Sequence, residues 1–251
     1  MIIYYVLTMY ANTHLRKDIF GSACMRLIEA LHNIQDYSLK GLTKICYVSN
    51  STISRLTKKL FYVNLNQFTG YLQLAKKEYA VSGSIVEKTD SYLQAQDKLE
   101  TNMMQAIQNI KQILNEQTMQ QITTLIHQAN RICIVGFPVP ESAYSLQMEL
   151  NMQGKKTCAY MDPRCQLEEI HEYTKNDLII MYEGIADEDS GKDVIEQNQT
   201  SSLIVISPYQ KYKKIYNARV FIPYEQTNFT MNLFKTSVIT DFIITAVQAT
   251  K

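Results

Sequence analysis

Between Ser49 and Lys59 the chain reads SNSTISRLTKK: short hydroxyl and amide side chains at Ser49, Asn50, Ser51, Thr52 and Ser54, then Arg55, then the paired cations Lys58 and Lys59. Hydroxyls at the start of a helix can cap it and hydrogen-bond phosphates or base edges, while Arg and Lys neutralise phosphates and displace counterions. Ile53, Leu56 and Leu60 recur at i, i+3 and i+7, which turns one stripe of this segment to a core and leaves Ser51, Thr52, Ser54, Arg55, Lys58 and Lys59 free to face a partner. Ser49, Asn50, Ser51, Thr52 and Ser54 are expected to meet base edges or backbone, and Lys58 and Lys59 phosphates. Arg55 either reads a guanine edge or forms a structural ion pair.

Other constellations carry less. Cys165, Glu168 and His171 fall at successive i, i+3 spacings, but no second ligand pair stands at metal spacing, so they read as one face of a partly exposed helix. Neither a metal, a cofactor nor a catalytic residue is expected. Glu183, Asp187, Glu188 and Asp189 form an acidic cluster that reads as a solvated loop, and Tyr209, Tyr212 and Tyr216 with Lys211, Lys213 and Lys214 as a sheet-edge loop or subunit contact. The five cysteines, Cys24, Cys46, Cys133, Cys158 and Cys165, form no CxxC pair and read as reduced packing thiols of a cytoplasmic protein.

The elements that must position these residues differ between the two ends of the chain. Up to Ala80 there are 10 Lys and Arg against 4 Asp and Glu, and beyond it 15 against 20, so a head of about +6 precedes a body of about −5. A basic head is the electrostatic footprint of a nucleic-acid binder. Helical spacing runs over 19–34, 38–45, 51–60 and 66–78, with a tight turn between the second and third segments, giving an all-helical first domain. The apolar start, MIIYYVLTMYA, has no preceding cation and is too short to span a bilayer, so it is expected to pack on that domain as a helix or extended arm. No other stretch is a membrane candidate.

Gly83 between Ser82 and Ser84 marks a linker, placed at 81–98. Long helices are expected over 92–115 and 118–130, after which the period changes. Short apolar runs at 131–136, 157–160, 177–182, 202–207 and 218–222 alternate with helical stretches at 142–153, 166–173 and 189–197, and a helix over 231–250 closes the chain. Strand and helix in alternation imply a parallel sheet covered on both faces. The expected fold is α/β overall, with an all-α helix-turn-helix domain at 1–80 and a three-layer α/β/α domain at 99–251.

With both halves in view the chain resembles the RpiR family of bacterial transcriptional regulators, an N-terminal helix-turn-helix joined to a C-terminal sugar-isomerase (SIS) domain. VSNSTISRLTKKL followed by NLNQFTGYL is similar to that family's recognition segment and next helix, and NMMQAIQNIKQILNEQTMQQITTLIHQANRICIVG to its lead-in helices and first strand. The resemblance implies operator DNA as partner, a homodimer or higher homo-oligomer formed through SIS domains, and control of carbohydrate-metabolism genes by a sugar-phosphate-like effector without catalysis. It assigns the effector site to Gly136, Ser142, Glu183, Gly184 and Ser207.

The chain departs from the pattern at several points. Thr43 and Tyr47 stand where the generic turn has a small residue and Gly, and Phe61 where Gly usually follows the recognition helix. In the body, GFPVPES brings Pro138 and Pro140 into a loop that usually donates amides, and MYEG puts Met181 and Glu183 where serines usually stand. Proline has no amide hydrogen, and a carboxylate repels phosphate. A neutral ligand, a cationic ligand and no ligand all stay open, as does a sugar-phosphate isomerase on the same body.

Overall fold

The computed structural model describes residues 2–14, 18–60, 62, 64–81, 91–183, 194, 196, 201–209, 220–225 and 229–250. It divides into two compact units, Met1–Gly83 and Ser84–Lys251. Gly184, Asp187, Glu188, Asp189, Tyr212, Tyr216, Phe61 and the Ser82–Ser84 linker, with most of the expected 189–197 helix, lie outside the described residues.

The first unit contains α1 (Ile2–Thr13), α2 (Ile19–Ala30), a 3-10 turn (Leu31–Asn33), α3 (Leu39–Cys46), α4 (Asn50–Lys59) and α5 (Leu65–Val81). The apolar N-terminus is a helix, and its Ile3, Val6 and Leu7 are buried. Each of the next helices starts on a side-chain cap, with Asp18 accepting from the Phe20 amide, Ser38 from Gly41 and Ser49 from Thr52. The core joins Ala23, Cys24, Leu27 and Leu31 to Leu42, Ile53, Leu56, Leu60, Phe68 and Leu72, all fully buried.

The second unit opens with α6 (Tyr92–Ile113), the helix expected over 92–115, which takes in residues 92–98 of the stretch placed as a linker. Ser91 closes a capping box with Gln94, and that pair fixes the start of the helix. There follow α7 (Glu116–Gln128), β1 (Arg131–Gly136), α8 (Glu141–Met152), β2 (Lys156–Cys158), α9 (Pro163–His171), β3 (Leu178–Tyr182), β4 (Ser202–Ser207), β5 (Val220–Pro223) and α10 (Phe229–Ala249). The strands are all parallel, in the order β2-β1-β3-β4-β5. Alternate strand residues serve two cores. Ile132, Ile134, Ile180, Ile204 and Ile222 join α8 and α10 on one face; Cys133, Val135, Ile179, Met181 and Val205 join α9 on the other.

Candidate nucleic-acid interface and effector site

Helices α3 and α4 are joined by a turn in which Tyr47 is left-handed, with φ 53° and ψ 44°. The amides of Tyr47 and Val48 both donate to the Thr43 carbonyl, so the helix end is closed with Tyr in the position where Gly is usual. Tyr47 is 79% exposed and the Arg26 guanidinium lies 4.5 Å from its ring centroid. Thr43, which stands where a small residue was expected, is only half-buried. The close approach falls at Gly41, where a Cβ would come within 2.2 Å of the Asp36 carbonyl oxygen.

Helix α4 buries Ile53, Leu56, Thr57 and the flanking Leu60, and exposes Asn50, Ser51, Ser54, Arg55, Lys58 and Lys59. Ser49 is also exposed but acts as the cap: its hydroxyl accepts from the Thr52 amide at 3.2 Å and lies 2.8 Å from Ser51 Oγ and 2.9 Å from Thr52 Oγ1. Thr52 is thereby half-buried, and Ser54 Oγ donates to the Asn50 carbonyl at 3.1 Å. Among the described residues Arg55 forms no ion pair. Its guanidinium and the Lys59 ammonium lie 5.5 and 5.1 Å from the Phe20 ring centroid, a contact that orients both cations without neutralising them.

The register of the second unit aligns the carboxyl ends of its strands, Gly136 against Tyr182 and Tyr182 against Ile206. In a 2-1-3-4-5 order the topological switch lies between β1 and β3, where open α/β sheets present a crevice. Gly136 is bracketed by Gln166, which accepts from its amide at 3.2 Å and donates to its carbonyl at 3.0 Å. A Cβ at Gly136 would come within 2.8 Å of the Tyr182 carbonyl oxygen, so the position requires Gly. The half-buried Ser142 accepts from Thr240 at 3.3 Å, and Thr240 Oγ1 lies 2.7 Å from the Tyr182 hydroxyl. Glu183 is 1% exposed; its amide donates to the Ile206 carbonyl and its carbonyl accepts from the Tyr224 hydroxyl at 3.2 Å. Ser207 is fully buried, its hydroxyl accepting from the Tyr209 amide at 3.1 Å. Pro138, Val139 and Pro140 are buried in the loop after β1.

Sequence reading missed the contribution of α10. Asn232, Lys235, Thr236 and Thr240 are buried polar residues on one face of this otherwise apolar helix. Their spacing of i, i+3, i+4 and i+8 was the available signal. Lys235 Nζ donates to the Glu225 carbonyl at 2.6 Å, and burial holds its pKa below the ordinary lysine value, against the opposing charge of Glu225. Cys165, Glu168 and His171 lie along α9, and among the described residues no group of three or more His, Cys, Asp or Glu side chains is placed to hold a metal ion.

A helical unit with a helix-turn-helix, followed by a SIS-type α/β/α unit, is the class the geometry defines. Solved structures share the fold. The Vibrio vulnificus NanR protein complexed with ManNAc-6P superposes with a TM-score of 0.52 at 14% identity, over 99% of this chain and 92% of that one. The C-terminal domain of glucosamine-fructose-6-phosphate aminotransferase from Francisella tularensis gives 0.50 at 13% identity, over 78% of this chain and 54% of that one. No protein-family model matches the chain, and no curated protein matches it. Among the described residues no helix is long and apolar enough to cross a membrane.

Proposed function

We propose that this chain is a cytoplasmic, DNA-binding transcriptional regulator of the RpiR type, a homodimer without catalytic activity that controls carbohydrate-metabolism genes. The observation that carries this reading is α4: capped at Ser49, anchored by Ile53, Leu56 and Leu60, and presenting Ser51, Ser54, Arg55, Lys58 and Lys59 to solvent with no ion pair to the three cations among the described residues. A helix so exposed after a tight turn is the reader of a major groove, with Arg55 suited to guanine and the lysines to phosphates. Pairing of two bodies would set the spacing of two such helices on an operator.

The effector is a sugar-phosphate-like molecule at the carboxyl edge of the sheet, where Gly136 and Ser142 line the switch point and Lys235 brings a cation near β5. A ligand-independent regulator is the second reading. Its support is specific: the buried Pro138 and Pro140 donate no amides, and the Ser207 hydroxyl is already engaged. Two measurements test the whole. Selection from a random duplex pool should enrich one palindromic sequence whose affinity falls steeply with salt; no enrichment would refute the DNA reading. Thermal shift against a panel of hexose and hexosamine phosphates should raise the melting temperature for one of them without turnover. A flat panel favours the ligand-independent reading, and turnover an enzyme.

A further inference from the structure

Cys133 in β1 and Cys158 in β2 are direct register partners in a parallel pair. Neighbouring strands lie about 4.8 Å apart, within the Cα separations of about 4.4–6.8 Å that a disulfide spans. Both side chains are on the α9 face: Cys133 belongs to the core of Val135, Ile179 and Met181, and Cys158 packs against that core. The Cys158 thiol donates at 3.8 Å to the carbonyl of Ile132, the residue next to Cys133 on β1. Cys133 is fully buried and Cys158 partly exposed. The neighbouring Cys133 thiol draws the Cys158 thiol below its ordinary pKa despite burial, with Tyr173 and Arg131 assisting, whereas Cys133 is pushed up by its Cys158 neighbour and by burial. One sulfur is thus partly exposed, and the other is held behind it. The head cysteines differ: burial pushes both Cys24 and Cys46 up to about 12.

We propose that Cys133 and Cys158 form a reversible dithiol site that reacts with hydroperoxides. The Cys158 thiolate attacks a peroxide oxygen and the O–O bond breaks. The alkoxide leaves and takes up a proton, giving an alcohol and a Cys158 sulfenic acid. Cys133 then attacks the Cys158 sulfur and loses its proton, and the hydroxyl departs as water, leaving the disulfide. The two sulfurs together give up the two electrons that reduce the peroxide to alcohol and water; an external dithiol returns them. Strand β2 has three residues and lies at the sheet edge beside β1, so the bond joins an edge strand to its neighbour. Two residues beyond Cys158, the Tyr160 carbonyl accepts from Gln166, the side chain that brackets Gly136. The cross-link therefore acts on a strand tied to the end of β1.

The reduced full-length chain is treated with cumene hydroperoxide, its remaining thiols are capped with N-ethylmaleimide, and its peptides are mapped by mass spectrometry. The expected result is one cross-linked peptide pair, Cys133 with Cys158, formed before the other three cysteines react and removed by dithiothreitol. Cys133→Ala should halt at a Cys158 sulfenic acid trapped by dimedone, and Cys158→Ala should leave Cys133 unoxidised. A cross-link to Cys165, uniform oxidation of all five cysteines, or no thiol loss in the folded chain would each overturn the proposal. Mapping of the unsubstituted chain decides this even if a variant fails to fold.

Discussion

Arg131 and Asp177 are the ion pair on which the second unit's strand ends depend. Arg131 donates to Asp177 from Nε at 3.2 Å and Nη2 at 3.0 Å, and to the Glu172 carbonyl at 2.7 Å, while Thr174 donates its amide and hydroxyl to the same carboxylate. Burial pushes the Asp177 carboxyl up, but the bonds from Arg131 and Thr174 outweigh it and hold it below the usual carboxylate range. A group lowered in the folded state stabilises above its unfolded pKa, about 3.9, and loses that contribution as pH falls through the folded value. Asp177→Asn should cost about 2 kcal/mol in urea unfolding at neutral pH, and its stability should fall less than that of the unsubstituted chain on acidification below about pH 4. Arg55 makes the opposite case: exposed and, among the described residues, bonded to no carboxylate, it contributes little to folding. Arg55→Ala should leave circular dichroism and melting temperature unchanged while removing about 1–3 kcal/mol of sequence discrimination in anisotropy titrations. Undiminished operator affinity in that variant would sink the role of α4 as reader. Arg55 could be singled out from spacing alone, because a helical period separates its face from that of Ile53 and Leu56. Its contact with Phe20, more than 30 residues away in sequence, could not.

At the scale of elements, the turn between α3 and α4 is fixed by one glycine that must be glycine and one tyrosine that is not. Gly41 is buried at the start of α3, where a Cβ would meet the Asp36 carbonyl oxygen at 2.2 Å and its Cγ at 2.5 Å. Gly70 in α5 has nothing within 4 Å of the same position. Gly41→Ala should therefore destabilise the head by about 1–3 kcal/mol, whereas Gly70→Ala should stabilise it by about 0.5–1 kcal/mol, since Gly is the poorer helix former. Chemical denaturation of the two variants separates steric crowding from helix propensity; equal effects would refute the packing assignment. At Tyr47, Tyr47→Gly should exceed Tyr47→Ala in stability by about 1 kcal/mol, because both lose the Arg26 stack and Ala alone keeps the left-handed penalty. The need for a left-handed residue at Tyr47 was legible in the spacing of the turn. The crowding at Gly41 was not, because it depends on where the chain before Ser38 folds back.

At the scale of the whole molecule, the two units have separate cores and opposite charge, so each should behave as its own folding unit. A fragment covering 84–251 should unfold in one cooperative transition by calorimetry and show no operator affinity, since α4 is absent from it. A fragment without a cooperative transition would refute that independence. The sequence by itself determined the order of elements, the division into a basic helical head and an acidic α/β body, and the exposed face of α4. These follow from period and charge, which are local properties of the chain. Tertiary structure alone decided the strand order, the burial of Glu183 and Ser207, and the entry of Lys235, Asn232 and Thr240 from α10. It also set Cys133 against Cys158 in β1 and β2, turning two apparent packing thiols into a pair. Such juxtapositions depend on register between segments far apart in the chain, and spacing within one segment carries no information about register between two.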